Sequence, residues 1–296
     1  MKLFASIYFA AGVLLTPISF AIAQSTDDVF NIEELRPGIF RTQYNFHFGV
    51  VIEGEDSLLV FDTVNAEFSE WLKNELNERF NKPVKYVVYS HSHSDHVSGG
   101  EVFEDSDPIY ISHRLTKQSF EHFGTRTRIP DFTFEEALQL DVGGVNVHLQ
   151  HWGPNNGVGS ISLFVPEQKF ISVIDWALAD RVGFQSMPGY DFEGMINSLR
   201  GIDALDWDLI APGHAGTGTK EDVRLFRRYI ETIVTGVRDG FKAKKSEEEI
   251  IADTMARLDA EPAFRARLQN YDDWAEDNVR AAFNQIADVE ILLFLQ

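Results

Sequence analysis

No cysteine occurs among the 296 residues, so no disulfide framework can stabilise the fold, which must stand on its apolar core. The same absence removes every thiolate as a metal ligand. Basic residues are sparse: 26 Lys and Arg face 46 Asp and Glu, for a formal net charge of -20. No basic stretch interrupts that excess, and nucleic acid is therefore excluded as a partner, since a phosphate backbone is held by clustered cations that release its counterions. After the first two dozen residues no apolar run is long enough to span a bilayer. Internal repeats, low-complexity tracts and flexible linkers are also missing, which favours a single main domain. With 44% hydrophobic residues, the chain can fill a sizeable core.

The opening stretch "MKLFASIYFAAGVLLTPISFAIAQ" carries one positive charge at Lys2, an apolar run, and the small-x-small triplet Ala21, Ile22, Ala23. This pattern predicts a secretory signal over residues 1–23, cleaved before Gln24. An uncleaved anchor is the alternative, because the run is nearly long enough to cross a membrane, but Pro17 and the small residues at its end favour cleavage. The expectation is a periplasmic or secreted protein with no stable membrane span after cleavage.

Beyond the signal, short β-branched and aromatic runs alternate with helical patterns. Strands are expected at 48–53, 57–61 and 85–89, with a hairpin turn over Gly54 to Asp56. Between the second and third, Phe68, Trp71, Leu72, Leu76 and Phe80 recur at helical spacing, and Pro83 lies just past the end. Further strands are expected at 109–112, 145–149, 161–165, 169–174 and 208–211, with a helix over 192–205. Thr219 to Asp222 and Ser246 to Glu249 read as the starts of two more helices, and the last fifty or so residues look wholly helical. Interleaved strands and helices point to a layered α/β domain.

The most informative segment is "SHSHSDHVSGG", residues 90–100. It follows the hydrophobic "VKYVVY", so it falls at the C-terminal end of a buried strand, where α/β folds place ligands. In extended chain His91 and His93 point the same way and can grip one ion, while Asp95 and His96 face a second position once the chain turns. Gly99 and Gly100 let the backbone leave tightly. Imidazole and carboxylate ligands suit zinc, and iron or manganese would also fit such a set. The competing reading, a solvated polar loop, does not explain three histidines and an aspartate within six positions.

His-x-His-x-Asp-His after a strand resembles the signature of the metallo-β-lactamase fold superfamily. The resemblance runs to about residue 240 and includes "LLVFDT" ending near Asp62, "GPNNGVGS", "FISVIDWA" and "APGHAG". It implies an αββα sandwich with a helical C-terminal tail, in which residues 24–243 form the hydrolase domain and 244–296 a helical extension. By motif, His91 and His93 would bind a first metal, Asp95 and His96 a second, with Asp175 bridging both and His214 completing the second site. The family usually has a histidine where this chain has Asn156. An amide oxygen is a weaker ligand for zinc, so the first site is left with His91, His93 and Asp175, together with Asn156 or water. His151 lies five residues earlier and is expected to be structural.

A metal or metal pair with an open position lowers the pKa of bound water and polarises the oxygen of an ester, lactone, thioester, sulfate or phosphodiester. One or two zinc ions would thus make this a hydrolase of a small-molecule substrate, with Asp95 as the catalytic carboxylate that ligates a metal and orients the attacking solvent molecule. Superfamily β-lactamases that use a cysteine are excluded, and Asp175 makes the chain more similar to the thioesterase, lactonase, sulfatase and phosphodiesterase branches. A catalytically idle binding protein of the same fold and a true β-lactamase are the alternatives. His113, Arg181 and Tyr190 are candidate substrate contacts, with packing roles equally open. The stretch "GHAGTGTK" only superficially resembles a phosphate-binding loop, because Lys220 follows Thr219 instead of the second glycine.

Overall fold

The computed structural model describes residues 29–294; the expected signal over 1–23 lies outside them. Seven strands, in chain order from one edge to the other, form the first sheet. Strands β1 (Phe30–Arg36), β2 (Ile39–Tyr44), β3 (His47–Glu53) and β4 (Leu58–Phe61) are joined antiparallel. Helix α1 (Ala66–Phe80) then crosses back so that β5 (Val84–Val88) lies parallel to β4, followed in parallel by β6 (Ile109–His113) and β7 (Phe132–Phe134). Between them lie the short α2 (Ser94–Val97) and α3 (Arg114–Phe123).

The second sheet has the order β12-β11-β10-β9-β8. It comprises β8 (Ala137–Val142), β9 (Val145–His151), β10 (Ile161–Val165), β11 (Phe170–Val173) and β12 (Leu209–Pro212), antiparallel except for the β11/β12 pair. Helix α4 (Phe192–Asp203) joins the last two strands, and α5 (Lys220–Lys242), α6 (Glu247–Asp259), α7 (Pro262–Arg267) and α8 (Tyr271–Phe294) follow.

The period-2 alternation of side chains sorts these strands into layers. In β4, Leu59 and Phe61 face the second sheet while Leu58 and Val60 face α1. In β11, Phe170 packs between the sheets and Ile171 and Val173 pack under helices. The result is a four-layer αββα arrangement with both faces of each central strand buried, which is why these strands read as continuous apolar runs. Phe170 is fully buried between the sheets, and truncating it to Ala is expected to cost about 3–5 kcal/mol.

The outer helices begin where their caps dictate. Asn65 accepts from Phe68 N at 2.9 Å to start α1. Asp222 accepts from Thr219 N at 2.8 Å and from its Oγ1 at 2.7 Å at the head of α5, and Ser246 and Glu249 form a reciprocal capping box on α6. Helices α6 to α8 share a continuous apolar core with α4, α5 and the second sheet: Phe226, Ile230 and Ile233 meet Ile250, Leu258, Phe264 and Val279. Among the described residues no helix is long and apolar enough to cross a membrane.

Several elements differ from the sequence-based expectation. The hairpin β1/β2, strands β7 and β8 and helix α3 were not expected. β1, β8 and α3 are exposed or half-buried along most of their length, as in β1, where Ile32 is the single buried residue, and β7 is only three residues long; β2 has no exposed residue but mixes Ile39 and Phe40 with Arg41, Thr42 and Gln43. The expected strands all form, each within about two residues of its anticipated limits, and α4 stops at Asp203.

Candidate metal centre

The sequence cluster sits where β5 ends. Two carboxylates at strand ends, Asp62 after β4 and Asp175 just after β11, adopt the left-handed backbone conformation, with φ of 69° and 71°. Such conformations are costly for residues other than glycine and persist where the surroundings enforce them. Here they turn both carboxylates toward the histidines. Gly99, also left-handed at φ 81°, must be glycine because a Cβ there would lie 2.4 Å from Ala66 N.

Hydrogen bonds around two of the imidazoles, His91 and His214, fix which nitrogen faces inward. The fully buried Asp62 accepts from Ser90 N at 2.8 Å and Ser90 Oγ at 2.6 Å. Since Ser90 Oγ donates to Asp62, it must accept from His91 Nδ1, 2.7 Å away, which leaves His91 Nε2 as a lone pair directed at the site. His214 Nδ1 likewise donates to Phe46 O at 3.0 Å, leaving its Nε2 inward. Burial pushes His91 down to about 4, so it is neutral, as a metal ligand must be.

Asp175 divides its two oxygens between two ligand groups. Oδ2 lies 3.2 Å from His91 Nε2 and 3.6 Å from His93 Nδ1, whereas Oδ1 lies 3.3 Å from His96 Nε2 and 3.4 Å from His214 Nε2. Asp95 Oδ2 adds to the second group at 3.6 Å from His214 Nε2 and 3.8 Å from His96 Nε2. Within the sets His91, His93, Asp175 and His96, Asp175, His214 the donor atoms all lie within 4.8 Å of one another. His91 Nε2 and Asp175 Oδ1 are buried without hydrogen-bond partners, a costly state unless an ion takes their lone pairs. The nitrogen and oxygen donors, their tautomers and these orphaned atoms fit one or two divalent metal ions.

The electrostatics of the protein groups themselves follow from the same packing. Burial alone would raise Asp175, but interactions led by the charge of His96 hold it well below the ordinary carboxylate range. Burial would lower His96, yet Asp175, Asp62 and Asp95 outweigh it and lift it to about 9. A proton on His96 accounts for its 2.8 Å contact with His214, nitrogen to nitrogen.

Asn156 stands beside this centre, buried to 1% exposure, with Nδ2 donating to Asp175 Oδ2 at 3.1 Å and Oδ1 buried without a partner. His151 belongs elsewhere: its ring stacks on His113 at 3.9 Å between centroids, and its Nδ1 meets Ser160 O at 3.0 Å. His113 is committed to Glu135 O and Leu115 N, which makes it a packing residue.

His47, at the start of β3, was not anticipated. Its Nε2 lies 3.3 Å from Asp95 Oδ2, and it groups with Asp95 and His214. Its Nδ1 is buried and unpartnered, in contrast to the ligand-like His91 and His214, whose second nitrogens donate. His96 Nδ1 is buried and unpartnered too, so this does not by itself separate His47 from the ligands; His47 Nε2 is placed to donate to Asp95 Oδ2. No local motif marks it, because its role depends on the β2/β3 turn meeting Gly213, where Phe48 N donates to Gly213 O at 2.9 Å.

The centre opens into a cavity of about 510 Å³ with His93, Asp95, Asp175 and His214 at its floor. Phe46, Leu178, Phe184, Pro188 and Trp274 give it an apolar wall. Arg181 and Tyr190 also line it: Arg181 Nη1 donates to His214 O at 2.9 Å, and Tyr190 OH donates to Asp175 O at 2.9 Å. Burial holds Arg181 below and Tyr190 well above their ordinary values, so Tyr190 stays protonated and can donate.

Comparison with known proteins places this geometry in context. The family model described as the metallo-beta-lactamase superfamily matches residues 45–214. The 2,4-dinitroanisole O-demethylase subunit alpha of a Nocardioides species is 26% identical over 250 residues, covering 82% of this chain and 73% of that protein. A beta-lactamase-like protein 2 homolog from Caenorhabditis elegans is also 26% identical, covering 83% of this chain and 81% of its own. A 51-residue stretch is 45% identical to an alkyl/aryl-sulfatase of Saccharomyces cerevisiae, 17% of this chain and 8% of that one. Among solved structures, a metallo-beta-lactamase from Pontibacter korlensis superposes with a TM-score of 0.63 at 16% identity, covering 69% of this chain and 99% of its own.

Proposed function

Because the chain belongs to the metallo-beta-lactamase superfamily, we propose that it is a metal-dependent hydrolase of a small ester-like substrate: an ester, lactone, thioester, sulfate or phosphodiester. The observation that carries this reading is Asp175, whose Oδ2 faces His91 and His93 while Oδ1 faces His96 and His214, at the floor of a ligand-sized cavity. Zinc is the metal best suited to these nitrogen and oxygen donors, with iron and manganese compatible. When bound, such a metal lowers the pKa of coordinated water toward neutrality and polarises the substrate oxygen.

The protein's own groups do the rest. His91, His93 and Asp175 would hold a metal at one position, and Asp95, His96, His214 and Asp175 at the other. Asp95 is half exposed at the cavity floor and orients the attacking solvent molecule while His47 steadies its Oδ2. Tyr190 and Arg181 pin the backbone carbonyls of Asp175 and His214, so both ligands enter the reaction already positioned. The names of two relatives, an O-demethylase and an alkyl/aryl-sulfatase, support cleavage at an oxygen carrying an alkyl or aryl group. Export to the periplasm or beyond is part of the same proposal and rests on the signal-like first 23 residues.

Purifying the mature protein, counting its metals and assaying ester, lactone, thioester, sulfate and phosphodiester substrates tests the proposal. Turnover that chelation abolishes and metal restores is expected; no turnover with any metal refutes it. Asn156 favours a second reading, a metal-binding protein without catalysis, because it directs its amide nitrogen at Asp175 where the family usually supplies an imidazole. Replacing it with His separates the two: gain of hydrolysis supports a degraded site, and loss supports an enzyme tuned to the amide. A chromogenic cephalosporin should be turned over weakly or not at all.

A further inference from the structure

The loop between β11 and α4 is held from outside by α8 and the turn before it. Gln269 N donates to Asp180 O at 2.8 Å, and its Nε2 reaches Asp180 Oδ2 at 3.1 Å. Asn278 Nδ2 donates to Gly183 O at 3.1 Å and Gln185 O at 2.6 Å. Gln285 Nε2 donates to Tyr190 O at 2.7 Å, and its Oε1 accepts from Phe192 N at 3.0 Å. Three polar side chains of the C-terminal region thus fix the segment that carries Arg181, Phe184 and Tyr190 into the cavity. The same region contributes Trp274 directly. All of these C-terminal residues lie beyond the stretch 45–214 matched by the family model.

Trp274 and Phe184 form an edge-to-face pair, with centroids 5.2 Å apart at 75°. The Arg181 guanidinium lies over the indole at 5.0 Å, which fixes its tilt. Phe184 remains 51% exposed and Phe46 65% exposed, both on a cavity whose floor is the metal centre. Unmatched ring surface beside a reacting centre calls for an apolar occupant, and ring faces and edges reward another ring beyond simple area burial when centroids come within about 4.5–7 Å.

We propose that the C-terminal helices make this cavity selective for substrates bearing an aromatic ring, seated against Trp274 and Phe184 with the scissile group at Asp175. This rests on the hydrolase reading for its substrate, but not for its test. Benzyl acetate and cyclohexylmethyl acetate release alcohols of similar basicity and differ chiefly in the ring. The metal-loaded protein should favour the benzyl ester in kcat/KM by about two- to tenfold. It should bind benzyl alcohol more tightly than cyclohexylmethanol by a similar factor, measured by ligand-observed NMR. Trp274→Leu and Phe184→Leu keep apolar bulk while removing a ring, and each should bring both ratios toward one; Phe184 is exposed enough that its variant folds. Equal binding of the two alcohols by the unaltered protein, or ratios unmoved by both variants, overturns the proposal. If neither ester is turned over, the binding ratio still decides the aromatic preference, while the hydrolase reading is judged separately by the full substrate panel.

Discussion

Asn278 offers the sharpest quantitative test of how the outer helix supports the centre. Its side chain is fully buried, donates to Gly183 O and Gln185 O, and accepts from Tyr229 OH at 2.9 Å. Asn278→Ala deletes three hydrogen bonds, each worth about 1 kcal/mol net. It also strands Gly183 O and Tyr229 OH in the interior, at about 1–3 kcal/mol for each group left unsatisfied. These overlap, and the expected loss is about 3–5 kcal/mol. For a domain of this size that lowers the melting midpoint by roughly 6–20 °C. Thermal and urea unfolding of both proteins at matched metal content would measure it, and a cycle with Tyr229→Phe would isolate the Tyr229 contact. Well below the new midpoint, discrimination between the benzyl and cyclohexylmethyl esters should also fall, because Phe184 lies between the two carbonyls that Asn278 holds. A stability loss under about 1 kcal/mol would refute the view that α8 clamps this loop.

Other outcomes follow from the centre itself. Asn156→His should raise the number of tightly bound metals per chain, read by elemental analysis after dialysis; unchanged stoichiometry would mean that residue 156 does not reach the first position. His47→Ala should lower kcat by about tenfold or more with bound metal retained, and His47→Gln, which keeps a donor, should recover part of it; loss of metal instead would make His47 a ligand. The charged form of His96 is stabilised in the metal-free fold, so its contribution is present in full below the ordinary histidine value and is lost as pH rises through about 9. Metal-free protein should therefore melt at lower temperature as pH increases over that interval while metal affinity tightens, since the ion no longer displaces that proton. Calorimetry and competition with a chelator across the range would check both signs.

How much of this was legible in the sequence depended on the range of the interaction. His91, His93, Asp95 and His96 are close in sequence and follow an apolar strand, so local spacing exposes them. Asp175 and His214 end their own strands, and the family resemblance singles them out; the fold then brings them to the same cluster. A layered α/β domain followed from strands interleaved with helices, and the αββα arrangement was implied by the family resemblance; runs such as "LLVF" and "FISV" prove to be buried throughout. By contrast, His47 and Trp274 are isolated residues whose neighbours at the centre are dozens to more than a hundred positions away, and nothing in their local pattern distinguishes them. The hairpin β1/β2 escaped notice for a different reason: the edge strand β1 buries only Ile32, and β2 mixes apolar residues with Arg41, Thr42 and Gln43 too evenly to stand out.

Asp175 presents a single carboxylate to both groups of histidines, so two ions held there would be thermodynamically coupled. An ion held at one oxygen would withdraw electron density from the other and fix the orientation of the shared group, and would thereby alter the affinity left for a second. Titration curves for this centre should then be described by a coupling constant rather than by two independent dissociation constants, and a substitution at 175 would perturb both terms at once.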